Sequence, residues 1–378
     1  TINVAANDID MDGNLDLASA MTVTLPAHGA LTNDGNGLFT YTPTAGYAGP
    51  DSFSYRICDS TAACDQATVM IFAGWEQLQW ESGVVYVAFE DLKNVGWSDW
   101  DYNDFVVKID IDKGVDSAGR LAAIEIEYDA LARGAGYAQR FVHNLPIEGG
   151  GIAMISVYDY AGGPLTQRTA EFAANTSFTI FERTIDALPP MSGFFDTNTR
   201  NSQPGVVDGR TATLTVYLYE PDANPAIALP PIPWDPYVYV YYTQQEVHLL
   251  IPGHLDNTQI VNPVRDPSSP LVGYDLPLAQ AFMPGWQWPE EFRGLWRGYP
   301  QYVDFVGSGG VTNPDWWQPQ NADSAWLWSP GGGGMVRADI PAAAGADSLY
   351  FAGAVAADLD GDGWNEVIIG NLLSNQVE

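Results

Sequence analysis

Phe105-Val-Val-Lys-Ile-Asp-Ile-Asp112 alternates apolar and charged residues with a period of two. An extended strand sends successive side chains to opposite faces. Phe105, Val107, Ile109 and Ile111 therefore share one face, and Lys108, Asp110 and Asp112 the other. Val84–Phe89 repeats the pattern upstream; Ala122–Tyr128, Ile152–Tyr158, Phe178–Ile180, Ala212–Tyr219 and Tyr237–Tyr242 continue it downstream. Pro- and Gly-rich connections separate these runs, notably Pro221–Pro236, and a helix is expected only at Pro289–Trp296. Residues 73–329 thus read as an antiparallel β-sandwich with long loops rich in Pro, Gly and Trp.

The first 72 residues carry shorter strands at closer spacing: Met21–Leu25, Leu38–Thr42, Phe53–Cys58 and Ala67–Phe72, with a turn at Ala27–Gly29. That spacing fits a small sandwich, so the whole chain is expected to be all-β. Val4-Ala-Ala-Asn-Asp-Ile-Asp-Met-Asp-Gly13, Pro26-Ala-His-Gly29, Phe39-Thr-Tyr-Thr-Pro43 and Tyr47-Ala-Gly-Pro-Asp-Ser-Phe-Ser-Tyr55 follow one another here. In that order they resemble the bacterial cadherin-like, immunoglobulin-like repeat. The resemblance implies an extracellular adhesin module, although such repeats come in tandem and one copy is present.

Aspartate and glutamate total 47 against 15 lysines and arginines, a formal net charge of -32. A compact chain so charged repels itself unless cations neutralise part of it. Nucleic acid is excluded as a partner, because phosphate binding needs basic patches. No stretch has the roughly 18 apolar residues of a membrane span. The chain opens in mid-pattern at Thr1 and reads as a piece of a longer precursor.

Cys58 and Cys64 are the two cysteines, separated by turn-forming residues. A hairpin there would bring the sulfurs together as a disulfide, which implies an oxidising, extracellular compartment. The alternative, a metal pair, lacks the further Cys or His that a zinc site needs.

The middle of the chain carries Ala88-Phe-Glu-Asp-Leu92, Ser98-Asp-Trp-Asp-Tyr-Asn-Asp104, Ala132-Arg-Gly-Ala-Gly-Tyr137, Glu246-Val-His-Leu249, Tyr274-Asp-Leu-Pro-Leu278, Trp288-Pro-Glu-Glu291, Tyr299-Pro300 and Asp315-Trp-Trp317. Over roughly residues 80–328 these resemble the LruC domain of secreted bacterial proteins. That resemblance implies no catalytic role.

Acidic residues gather in three places. Calcium takes six to eight hard oxygen ligands, which alternate residues of a tight loop can supply. The first group is Asn7, Asp8, Asp10 and Asp12; the second is Glu90, Asp91, Asp99, Asp101, Asn103 and Asp104. In the second, acids end one expected strand and precede the next, so antiparallel pairing would bring them to one edge. The third is Asp358, Asp360 and Asp362, with Gly363 for the sharp turn, the Trp364 carbonyl and Glu366. Val367-Ile-Ile-Gly370 follows as a strand, and the arrangement resembles the calcium loop of the FG-GAP repeat of integrin-type propellers. Residues 330–378 are therefore read as a Gly linker, that loop and a strand.

Other signals point nowhere catalytic. Trp286, Trp288, Trp296, Trp316, Trp317, Trp326 and Trp328 could form a sugar platform, but large aromatics are more often core. His28, His143, His248 and His254 have no zinc spacing and no nucleophile motif beside them. The expectation is a non-enzymatic, calcium-binding, structural or adhesive surface protein. Its partners would be further copies of itself in a head-to-tail filament, or other surface proteins. The alternative is a carbohydrate-binding module that recognises glycans.

Overall fold

The computed structural model describes residues 1–6, 8, 10, 13–47, 49–74, 78–91, 99–224, 233–249, 269–271 and 276–329, and the backbone of three further strand segments. The N-terminal unit packs two small antiparallel sheets. β1 (Ile2–Asn3) pairs with β4 (Leu38–Pro43), which pairs with β3 (Gly29–Gly35); β2 (Leu15–Thr24) pairs with β5 (Gly49–Asp59), which pairs with β6 (Cys64–Ala73). Phe39, Phe53, Tyr55 and Ile57 fill the space between them. The turn expected at Ala27–Gly29 bends at Ala27–His28 instead, and Gly29 starts β3. A Cβ at Gly29 would fall 2.3 Å from the Tyr41 ring, so the missing side chain admits that ring. Cys58 and Cys64 stand opposite each other in the β5–β6 register and form the disulfide.

The larger unit is a two-layer antiparallel sandwich. One layer has seven strands in the order β12 (Pro164–Phe172), β11 (Gly151–Tyr158), β14 (Thr211–Asp222), β9 (Leu121–Ala132), β8 (Phe105–Val115), β7 (Gln79–Phe89) and β19 (Ala279–Phe282). The other has β13 (Thr176–Phe181), β10 (Gln139–Leu145), β15 (Asp235–Val240) and β16 (Gln245–His248). The short pair β17 (Ile260–Val261) and β18 (Leu276–Pro277) forms a sheet of its own, as does β20 (Val355–Ala357) with β21 (Glu366–Ile368). The alternation in β8 is realised as expected: Phe105, Val107, Ile109 and Ile111 are fully buried, while Lys108, Asp110 and Asp112 are half-buried. Phe141 of β10 meets them from the opposite layer, its ring 5.6 Å from Phe105 and 6.1 Å from Phe89. The two units touch through β5 and β14, and Phe72 stacks on Tyr217 at 3.4 Å.

β3, β10, β12 and β16 are strands that sequence alternation did not reveal. The helix expected at Pro289–Trp296 is confined to Leu295–Gly298, a second short helix spanning Tyr302–Gly307. Pro289 forms a bridge with Leu327, and the Glu291 and Leu295 amides donate to Thr199 O and Trp100 O. Those tertiary acceptors replace the i−4 carbonyls that a longer helix would need.

His143 lies in the sandwich core, fully buried. The Tyr128 hydroxyl donates to its Nδ1 at 2.7 Å, and its Nε2–H donates to Pro233 O at 2.6 Å. Burial pushes its pKa from 6.5 down to about 4, against weaker opposing effects of the Pro233 hydrogen bond and Asp235. A depressed histidine pKa means that the unfolded chain binds more protons between these values. Stability from this residue is thus complete above pH 6.5 and is lost as pH falls through about 4, a total of about 3 kcal/mol. Urea midpoints measured from pH 4 to 7 should rise steeply with pH in the native sequence. In His143→Phe the slope should be flatter, and equal slopes would refute the assignment.

Candidate metal centre

β7 and β8 pair in register from Gln79 opposite Val115 to Phe89 opposite Phe105. Both ends of the connection between them are acidic, and the pairing carries Glu90 and Asp91 to the same edge as Asp99–Asp104. Trp100 and Tyr102 adopt left-handed backbone conformations, with φ of 57° and 52°. Such angles cost a non-glycine residue of order 1 kcal/mol each. Their rings are buried in the core, where the Tyr102 hydroxyl donates to Pro277 O at 2.6 Å. The alternate residues Asp99, Asp101 and Asn103 are left with the acids at the end of β7.

Glu90, Asp99 and Asp101 can each present an oxygen within 4.8 Å of the other two, and among the described residues no other set of three acids, histidines or cysteines converges so closely. Glu90 is wholly buried and Asp101 is 1% exposed. Backbone amides hold the carboxylates in place. Tyr102 N–H donates to Glu90 Oε1 at 2.6 Å, and Phe292 N–H donates to Asp101 Oδ2 at 2.8 Å. Asp91 N–H donates to Asp104 Oδ2 at 2.7 Å, and Gln139 Nε2 to Asp91 Oδ2 at 3.0 Å.

The electrostatics of this arrangement are unbalanced. Burial, and then neighbouring carboxylates, push Asp101 and Asp104 well above the usual carboxylate range; burial also raises Asp99 and lifts Asp91 to about 6. Glu291 joins the group from a distant loop and rises to about 9, chiefly through burial and then through Asp99 and Asp196. Two guanidiniums stand nearby. Arg133 is fully buried and donates to the carbonyls of Leu188, Ala135 and Phe195, while Arg200 pairs with Asp196. Arg200 partly offsets Asp99 and Glu291. Buried anions in excess of cations are costly, and a bound cation relieves that cost.

Two further oxygens bear on whether a cation fits. Asn103 Oδ1 and Glu291 Oε2 are buried and have no hydrogen-bond partner. A Cβ on Gly134 would fall 2.1 Å from the first and 2.5 Å from the second, so both oxygens pack against Gly134 where a side chain would otherwise stand. Carboxylate and amide oxygens are the donor set that a hard divalent ion selects.

The structure therefore brings together the whole second acidic group. Glu291, Gly134, Thr199 and the two arginines join it from remote stretches, and nothing local in those stretches marks them as neighbours of residue 101. The first group is only partly described: the Asp8 carboxylate lies 2.8 Å from the Tyr55 hydroxyl and Asp10 Oδ1 accepts from Asn14 N–H, while Asn7 and Asp12 lie outside the described residues. Of the third, Asp358, Asp360, Asp362 and Trp364 lie outside them, and Glu366 is described only as backbone in β21, opposite Ala357. The tryptophans are largely core. Trp286, Trp288, Trp316 and Trp328 are buried, and Trp316 packs on Phe282, Tyr299, Tyr302 and Phe305.

Residues 119–317, which supply Gly134, Asp196, Thr199 and Glu291, match the family model described as a domain of unknown function, DUF4842. The chain belongs to that family. Residues 1–72 of this DUF4842 protein match the bacterial Ig domain. A 57-residue stretch is 46% identical to Protein GAMETE EXPRESSED 2 of Arabidopsis thaliana, covering 15% of the chain and 6% of that relative's length. Among solved structures, a candidate lipoprotein of Bacteroides ovatus aligns over 86% of the chain and 97% of its own, with a TM-score of 0.47 and 12% identity. A structure titled for the promiscuous specificity of carbohydrate-binding modules of the β-sandwich superfamily aligns over 62% of the chain and all of its own, with a TM-score of 0.16 and 7% identity. Among the described residues, no helix is long and apolar enough to cross a membrane.

Proposed function

We propose that this DUF4842 protein is a non-enzymatic, calcium-binding structural module of a bacterial extracellular surface. The observation that carries the reading is the convergence of Glu90, Asp99 and Asp101 at the end of the β7–β8 hairpin. A cation there would tie the hairpin end to the loop around Phe292, whose amide already holds Asp101. The Cys58–Cys64 disulfide supports an oxidising compartment, and the bacterial Ig domain supports a surface setting. Glu90 and Asp101 are buried and held by backbone amides, which favours ion coordination over attack on an external substrate. Unfolding of the full chain in millimolar calcium against chelator tests the reading, and identical transitions would overturn it. Electron microscopy of the same two samples tests assembly into filaments. Support for assembly comes from Leu17, Met21 and Val23, exposed along β2, an edge strand.

A second reading, glycan binding, rests on one cleft. Tyr86, Gln287 and Trp286, Trp288 and Trp328 line a cavity of about 230 Å³. The Trp286 and Trp328 indole N–H groups are buried without acceptors. A sugar would supply hydroxyl oxygens as acceptors and an apolar C–H face for the rings. Glycan-array binding that survives chelation and disappears in Trp328→Ala is the expected result under this reading; an array without hits would dismiss it.

A further inference from the structure

The Asn103 side chain is wholly buried, yet its Oδ1 has no hydrogen-bond partner. Its orientation is fixed, because Nδ2 donates to Pro289 O at 3.1 Å and turning the amide over would set oxygen against oxygen. Glu291 is 7% exposed, and its Oε2 is likewise without a partner. Both oxygens pack on Gly134, 2.1 and 2.5 Å from the point where a Cβ would stand. They are therefore no more than about 4.6 Å apart, a spacing that two ligands of one calcium ion can have with bonds of about 2.3–2.6 Å. Two acceptors cannot satisfy one another.

Gly134 closes one side of this pair, so a common partner stands on another. The acids of the hairpin end are close by: Asp99 is the strongest charge acting on Glu291, and Glu291 in turn acts on Asp101. Backbone bonds join the two stretches at the same place. Phe292 N–H donates to Asp101 Oδ2 at 2.8 Å, and Gly134 N–H donates to Asn103 O at 2.7 Å. Glu291 N–H donates to Thr199 O at 2.8 Å, so its carboxylate hangs from an anchored backbone.

We propose that Glu291 Oε2 and Asn103 Oδ1 are ligands of the same calcium ion as Glu90, Asp99 and Asp101, so that one ion bonds the β7–β8 hairpin end to the stretch 286–328. The inference rests on the reading of those three acids as a calcium centre. Five protein oxygens approach the six to eight that calcium takes, where three would leave about half of the shell to water. The rival occupants of the gap are a proton on Glu291 that donates to Asn103 Oδ1, and a trapped water.

Europium(III), which occupies calcium sites, reports its coordinated waters through luminescence lifetimes in light and heavy water. In the full chain, Glu291→Ala and Asn103→Ala should each add at least one water to the ion. Glu290→Ala should add none, because Glu290 accepts from Asn201 N–H and pairs with Arg293. Calcium titration gives a second readout. Glu291→Gln, which keeps the packing, should weaken binding by about 100-fold or more, since even a group that only supports a ligand costs about 10–100-fold on removal. Glu290→Gln removes the same charge one residue away and should leave the affinity unchanged. Where near-UV circular dichroism shows that an alanine variant does not fold, these two glutamine variants decide. A proton or a water in the gap predicts the native water count and the native affinity throughout, and that result overturns the inference. Asp99→Asn separates the failures: if it alone weakens calcium binding, the centre stands and Glu291 is no ligand. If it too binds as the native chain does, the calcium centre falls with the inference.

Discussion

Stripping calcium from the full chain should lower its thermal unfolding midpoint by about 10 °C relative to the same protein in millimolar calcium. A ligand that binds only the native state at 100 to 1,000 times its dissociation constant adds about 3–4 kcal/mol, and each kcal/mol moves the midpoint of a domain this size by about 2–4 °C. The physical origin is the burial of Glu90, Asp91 and Asp101 together at the end of one hairpin. Without an ion the folded state must either hold these charges apart from water or protonate them, and both cost free energy. Magnesium should restore less of the loss, because it demands near-ideal octahedral geometry and sheds water reluctantly. Differential scanning calorimetry in calcium, magnesium and chelator reads all three states. Superimposable transitions in calcium and chelator would end the proposal.

Gly134→Ala should weaken calcium binding at this centre by about 100-fold or more. The new methyl would lie 2.1 Å from Asn103 Oδ1 and 2.5 Å from Glu291 Oε2, distances that force both oxygens to move. The Asn103 side chain has little room to retreat. Asn103 is anchored through Nδ2 to Pro289 O, and Gly134 N–H donates to Asn103 O at 2.7 Å. A ligand shell displaced by an ångström loses much of its preorganised geometry. Gly136→Ala, two residues along, is the control, since a Cβ there meets nothing within 4 Å. Isothermal titration with calcium should separate the variants clearly. Equal affinities would show that Gly134 does not border the ion.

Much of the larger sandwich was readable because one face of each strand had to be apolar. β8 shows this most directly, and its paired neighbours β7 and β9 follow the same rule. β12 was hidden for the converse reason: it is an edge strand, exposed along nearly all of Pro164–Phe172, so burial imposes no alternation on it. β10 was hidden because polar Gln139 and His143 lie on its buried face beside Phe141 and Leu145, so no apolar alternation shows in the sequence. The helix expected at Pro289–Trp296 failed because distant carbonyls and carboxylates claimed its amides.

The sequence by itself determined the β-class, the N-terminal Ig-like unit, the disulfide pairing and the acidic ends of the β7–β8 connection. Each follows from local rules: side-chain period, turn chemistry, motif order and the short reach between Cys58 and Cys64. Only the tertiary structure decided that Glu291 belongs with Asn103, that Gly134 must be bare, and that Arg133 and Arg200 stand beside the cluster while bonding to carbonyls and to Asp196. Those contacts join residues far apart in the chain, and long-range packing sets them without leaving a local trace. The acidic cluster was legible as a list of residues. Its shape, and the two unpartnered oxygens beside it, were not.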